Sequence, residues 1–415
     1  MRSTIRSATL CSPGCARSPA CPTFATSSSG AHPIADVRAL PGFRYRLANA
    51  GNPSTLVAPP YDVIPESELA KYQQLSPFNV VHVTRPGTDY AAAAKTFAEW
   101  ERNGIVQADE PSMYVHEVTF DGRRRRDLIA ALRLQPYSDR VVLPHERTHR
   151  GPKEDRLALM RATHMSLEPL WFVYEGRAAG VKGITDVVSQ RSPAVAFQGP
   201  EGTEHRLWTI TDRVIQAAVH AAFEEMEVLI ADGHHRYETA LAYAEEAGGP
   251  EDASSRFTLA LFTDIDDPGL QVLPTHRVLK AGVTVSGGDD APSLEATLAG
   301  LRGKVAAGAY HDHRFQVLPL EGDVALVELH EQVIDNILGK RNPEDFLLYT
   351  RDATEAVRWV DEGVGVGAFF LDAPDLHQVL RLAKAGKTLP QKSTYFYPKP
   401  PSGMVFLRLD PDRRL

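Results

Sequence analysis

ADGHHRYETAL, residues 231–241, follows the apolar run Val228, Leu229 and Ile230 and leads into a stretch with helical spacing. The apolar run predicts a short buried strand over 228–231. Tyr237, Ala240, Leu241 and Ala244 recur at helical intervals and predict a helix over 234–247, ended by Gly248 and Gly249. Between them Asp232 and Gly233 turn the chain, because glycine tolerates the backbone angles a tight turn demands. A helix start carries free backbone N–H groups and the positive end of the helix dipole, which suits an anion. His234, His235 and Arg236 add side-chain donors in the first turn, and arginine can hold a phosphate through two parallel N–H groups. The plainer alternative is that Asp232 caps the helix and the histidines are surface or core residues. Two histidines and an arginine in one first turn favour the anion site, with Gly233, His234, His235 and Arg236 as phosphate contacts.

Working outward, strands alternate with amphipathic helices on both sides of this turn. Helices are expected over 65–75, 90–102, 155–161, 212–223, 353–362 and 375–385, with Thr211 as a cap before 212. Strands are expected over 113–120, 170–174, 257–262, 271–273, 365–371 and 404–409. Asp121-Gly122 reads as a hairpin turn between 113–120 and a return strand ending near 134. Arg123 to Arg126 open that return strand, and alternation there predicts a solvated tip rather than a nucleic-acid patch. The pattern predicts a mixed α/β or α+β fold, divided into a lobe over 31–205 and a lobe over 206–415 that carries the DGHHR turn.

Composition narrows the function. The chain has 415 residues and a formal net charge of -8, so overall electrostatics give no reason to expect nucleic-acid binding. No apolar run approaches the roughly 20 residues of a membrane helix. Cys11, Cys15 and Cys21 all fall within the first 30 residues, leaving the rest without a disulfide framework, zinc ribbon or cysteine nucleophile. Those 30 residues are rich in Ser, Pro and Ala and read as a disordered tail or a misplaced start, with a cytoplasmic protein behind them.

Other polar clusters are candidate partners of the turn. Lys392, Ser393 and Thr394 sit in a loop between Pro390 and Pro398, where a lysine with hydroxyls suits a second phosphate contact. Thr275, His276 and Arg277 form a similar cluster just past a strand. His145, Glu146 and Thr148 lie in an irregular segment, and Asp62 in a Pro-Pro-Tyr-Asp turn. His145, Thr148, His276 and Arg277 are expected to bind substrate. Glu146, Asp62 and His234 are the candidates for catalysis, with Glu146 or Asp62 as base. Asp155 and Arg156 read as a salt bridge at a helix start.

ADGHHRYETAL, together with PPYDVI (59–64), LPHERT (143–148), KEDRL (153–157), LPTHR (273–277) and LPQKSTYFYPK (389–399), resembles the domain of unknown function 1015 family, in family order. The Gly-x-His-Arg-Tyr core also resembles the ParB/sulfiredoxin superfamily, where a strand–turn–helix holds nucleotide phosphates and whose members include free-serine kinases. Sulfiredoxin carries its cysteine directly after the motif glycine, where this chain has His234, so that chemistry is excluded. What the resemblance implies is phosphate binding, with nucleotide hydrolysis or nucleotide-dependent phosphoryl transfer to a small hydroxyl compound such as free serine. ATP or ADP with Mg²⁺ would be the cofactors, and the alternative is a non-catalytic nucleotide-binding regulatory protein.

HERTH, residues 145–149, matches the H-E-x-x-H zinc signature, so a zinc hydrolase through His145, Glu146 and His149 is a further alternative. That chemistry needs both histidines on one face of a continuous helix. Pro144 before the motif and Gly151-Pro152 after it argue against such a helix.

Overall fold

The computed structural model describes residues 35–146, 151–176, 180–280 and 288–415. The tail, its three cysteines, Thr148 and His149 lie outside the described residues.

The expected mixed α/β class is what the chain adopts. The short strand β1 (Val37–Arg38) and helices α1 (Glu66–Leu75) and α2 (Tyr90–Arg102) come first. They are followed by β2 (Met113–Phe120), β3 (Arg123–Arg133), β4 (Val142–Leu143), α3 (Gly151–Thr163), β5 (Leu170–Tyr174), β6 (Val195–Gln198) and β7 (Glu204–Ile210). Helix α4 (Arg213–Phe223), β8 (Val228–Asp232), α5 (His234–Ala247), β9 (Phe257–Asp264) and β10 (Gln271–Leu273) complete this half. Among the described residues the large sheet has nine strands in the order β4-β8-β5-β9-β3-β2-β7-β6, with β1 paired to β3. The boundary expected between 205 and 206 falls inside β7, and strands from both sides of it share this one sheet.

Alternation along β3 shows why the sheet is buried on both faces. Leu128, Ala130 and Leu132 pack with Phe172, Trp208, Phe262 and Phe223 of α4. Ile129 and Ala131 face the other way, against Trp171, Leu229, Leu261 and Phe396. Each such large side chain contributes about 1.5–3 kcal/mol on full burial. The hairpin turns through Asp121 and Gly122, whose φ angles are 46° and 70°, as a two-residue turn matched to strand twist requires. Helix α4 begins one residue later than expected: Asp212, not Thr211, caps it by accepting from the N–H groups of Val214 and Ile215.

A second, antiparallel sheet follows. It comprises β11 (His276–Leu279), β12 (Asp289–Ala291), β13 (Ala306–His311), β14 (Arg314–Pro319), β15 (Leu347–Thr350) and β16 (Gly367–Phe370), ordered β12-β14-β13-β16-β11-β15. Helices α6 (Leu294–Leu301) and α7 (Ala353–Asp361) cover one face through Leu301, Ala353 and Ala356. The opposite face, with Leu279, Ala307 and Phe369, joins the core of the large sheet and takes in Val379 and Leu380 of α8 (Leu376–Lys384). The chain then returns across the large sheet, where β17 (Tyr395–Tyr397) pairs with β10. No helix among the described residues is long and apolar enough to cross a membrane.

The outward-pointing reading of the arginine run is half corrected. Arg123 and Arg124 are exposed, whereas Arg125 is fully buried. Its Nε donates to Asp127 at 2.9 Å, its Nη1 to the carbonyl of Pro398 at 2.9 Å, and its guanidinium lies 4.2 Å from the Trp171 ring centre. The returning chain covers that face, so the side chain is not solvated.

Candidate functional site

The predicted strand–turn–helix is present, as β8, Gly233 and α5. Gly233 has φ 100°, and a Cβ there would lie 2.7 Å from Leu170 Cδ2, so both backbone and space call for glycine. Asp232 does not cap the helix. Its carboxylate lies between two cations, accepting from Arg236 Nη2 at 2.6 Å and from Lys399 Nζ at 2.5 Å. Burial alone would raise the Asp232 pKa, but Lys399 and then Arg236 outweigh it and hold the group well below the usual carboxylate range. Burial would lower Lys399, yet Asp232 and Asp62 hold its ammonium charged.

This arrangement changes the role of Arg236. Nη1 donates to the carbonyl of Pro169 at 3.1 Å, and Glu168 lies 4.0 Å away. With Nη2 on Asp232, the guanidinium is occupied within the protein rather than presented as a phosphate fork. Glu168 in turn accepts from the Tyr61 N–H at 2.9 Å and the Ser402 hydroxyl at 2.6 Å, which fixes the Pro-Pro-Tyr-Asp turn against α5. Lys399 was not legible as a site residue, because its partner Asp232 lies 167 positions away.

Above the start of α5 opens a cleft of about 760 Å³, within the range of small-molecule sites. Its wall includes Asp62, Gly233, His235, Thr275, Lys392 and Lys399. Lys392 has no side-chain ion pair or hydrogen bond among the described residues. Thr275 is 6% exposed, and its buried hydroxyl has no hydrogen-bond partner among the described residues. The Asp62 carboxylate lies 3.9 Å from Lys399 Nζ and is 41% exposed, the most open of the catalytic candidates.

The remaining predicted residues divide between the cleft and the packing around it. His234 is buried, and its Nε2 accepts the His145 N–H at 3.3 Å. Burial, with His145 adding to it, drives its pKa well below the ordinary value, so the ring is neutral. His234 thus ties α5 to the end of β4. His145 is likewise buried, with Nε2 2.8 Å from the Thr394 hydroxyl. Glu146 forms an isolated parallel bridge with Leu389, so His145 and Glu146 do not lie on a helix and the zinc-signature geometry is not met. Glu146 Oε1 instead accepts the N–H groups of Ser393 at 2.8 Å and Thr394 at 3.2 Å. Ser393 is 3% exposed and donates its hydroxyl to the carbonyl of Pro390, so within the predicted Lys-Ser-Thr cluster it supports the loop.

His276 and Arg277 do not meet a ligand directly. His276 is buried against Phe370, with the Leu371 N–H 3.4 Å from Nδ1, and burial aided by Arg277 brings its pKa down to about 4. Arg277 is fully buried behind the loop and donates to the carbonyl of Lys392 at 3.1 Å. Asp155 and Arg156 form the expected local salt bridge at 2.6 Å, and Arg156 also stacks 4.1 Å from the Tyr61 ring centre.

A mixed α/β body with a charged cleft at a strand–glycine–helix turn is therefore the class of protein this chain forms. The chain belongs to the family described as "Protein of unknown function (DUF1015)", which matches residues 37–362. No curated protein matches the sequence. Among solved structures it is similar to a conserved hypothetical protein from Pyrococcus furiosus, at 16% identity and TM-score 0.37, covering 65% of this chain and 92% of that one. A free serine kinase in complex with AMP is also 16% identical, with TM-score 0.36, covering 65% of this chain and 86% of the kinase. SbnI with C-terminal truncation from Staphylococcus aureus is 11% identical, with TM-score 0.30, covering 68% and 87%.

Proposed function

We propose that the cleft binds the phosphate chain of a nucleotide such as ATP or ADP and passes a phosphoryl group to a small hydroxyl compound. The observation that carries this reading is the convergence of Lys392, without an ion-pair partner among the described residues, on the open start of α5. Phosphoryl transfer depends mainly on positioning and on neutralising charge around the transferred group. Lys392 supplies an exposed positive charge and the first N–H groups of α5 supply fixed donors. The acceptor hydroxyl attacks the terminal phosphorus, its proton passes to Asp62, and the bond to the remaining nucleotide breaks. Of the two carboxylates expected as base, Asp62 is supported by its exposure in the cleft, while Glu146 is engaged by two backbone donors.

Mg²⁺ brought with a nucleotide is held largely by the phosphates, with one or two carboxylates completing its shell. Asp62, 41% exposed in the cleft, is the carboxylate that would share it, and the ion would neutralise charge on the phosphates.

Phosphorus NMR of the protein with ATP or ADP and candidate acceptors, free serine first, tests the reading. Acceptor-dependent appearance of a phosphomonoester is expected, and Asp62→Asn should slow it by at least about a hundredfold, the lower reach of general-base catalysis. Tight ADP binding with no acceptor-dependent turnover would instead make this a nucleotide-binding regulatory protein.

A further inference from the structure

Arg277 and Glu146 lie on opposite sides of the loop that carries Lys392. The carbonyl of Lys392 accepts from Arg277 Nη2 at 3.1 Å. The N–H of Ser393, the other end of the same peptide group, donates to Glu146 at 2.8 Å. One peptide plane is thus held between a positive and a negative side chain, with its dipole aligned to both. On either side the grip extends to the Gln391 carbonyl, 3.4 Å from Arg277, and the Thr394 N–H, 3.2 Å from Glu146.

The loop needs such a hold. Lys392 has φ 53°, a left-handed conformation that costs a non-glycine residue about 1–2 kcal/mol. Arg277 is fully buried, with no carboxylate in ion-pair contact among the described residues and Nε without a partner. An arginine kept this way is costly to the fold unless its charge serves something nearby. Burial brings its pKa down to about 10, with Tyr349 and then Glu146 opposing the fall, so it stays charged at neutral pH.

We propose that Arg277 and Glu146 act as a charged clamp on the Lys392–Ser393 peptide, positioning the Lys392 ammonium in the cleft. Both are positioning residues, and neither is the base. The proposal rests on the phosphate reading only for what Lys392 meets; the clamp itself is a property of the unliganded chain.

Amide hydrogen exchange over residues 390–395 of the full chain, with ADP affinity measured alongside, separates the two. In Glu146→Ala, exchange at Ser393 and Thr394 is expected to rise at least about tenfold and ADP binding to weaken about tenfold, the scale of one lost charged hydrogen bond. Glu146→Gln keeps an oxygen that can accept both N–H groups but loses the charge, so it is expected to fall between the native protein and Glu146→Ala in both measurements. Arg277→Met should resemble Glu146→Ala; should it not fold, Arg277→Lys, which keeps the charge but not the planar fork, is expected to fall between them. A Gln variant as damaged as the Ala variant would overturn the clamp, as would slow exchange in every variant. Failure of the native protein to bind ADP would sink the phosphate reading, while the exchange result still decides the clamp.

Discussion

Two arginines among the described residues are completely buried, and they are buried in different ways. Arg125 lies against Asp127, with Nε and Nη2 at 2.9 and 3.2 Å from its two oxygens, and stacks on Trp171. Arg277 touches backbone carbonyls, and the acid that balances it, Glu146, sits beyond a peptide group. The first arginine meets its acid directly, in a buried network that includes His116 and Thr263, and holds β3 to the returning chain. The second is open through a loop, and that loop faces the cleft. A buried charge paired directly secures a fold; a buried charge paired through backbone secures the direction of whatever that backbone carries.

The comparison can be broken by mutation. Arg125→Met removes the arginine that meets the Asp127 carboxylate in the core, leaving it only His116 and Thr263, and is expected to cost about 3–5 kcal/mol in denaturant unfolding. Arg277→Met leaves no carboxylate in contact and should cost clearly less stability while weakening ligand binding more than Arg125→Lys does. Equal losses of stability from Arg125→Met and Arg277→Met would erase the distinction. Lys392→Ala should leave the melting temperature in place and weaken ADP binding about tenfold, since only one exposed charge contact is removed. Calorimetric binding beside a thermal melt checks both halves of that statement.

The smallest effect expected is on protons. His276 keeps a pKa of about 4 in the folded chain, through burial first and the neighbouring Arg277 second. Its unfolded value is about 6.5. Between these values the unfolded chain takes up a proton that the folded chain refuses, so this contribution to stability is intact above about pH 6.5 and is lost as pH falls towards about 4. Removing the Arg277 charge should move the His276 titration upwards and make that loss shallower, which the His276 ring signals in proton NMR would follow. An unmoved titration would show that Arg277 carries little charge next to it.

The same contrast shows what the sequence could reveal. Helix α2, strand β5, helix α5 and the hairpin at Asp121-Gly122 follow from spacing and turn residues within a few positions, and they stand where the pattern puts them. The hairpin of β13 and β14 went unread, although Asp312 and His313 turn it with positive φ. Arg125 was placed in water because alternation distinguishes two faces without saying which is covered, and the cover comes from residues 397–398, more than 270 positions later. In the site, the Gly233 turn and the Lys392 loop were legible as polar punctuation. The occupation of Arg236 by Asp232, of Glu146 by the loop and of His234 by His145 was not, because each depends on which hydrogen-bonding group arrives first in space.

The return of the last segment across the body also sets an order of events during synthesis. Phe406 bridges to Phe43, Ser402 to Ala58, and Tyr395–Tyr397 pairs with Gln271–Leu273. A chain emerging from the ribosome therefore makes Asp232 and Arg236 long before Lys399 joins them, and Glu146 long before its loop exists. Domains fold as their parts become available during synthesis. Lys392 and Lys399 reach the cleft only once the chain has been made past residue 399, so a nascent chain lacks both lysines at this site until then.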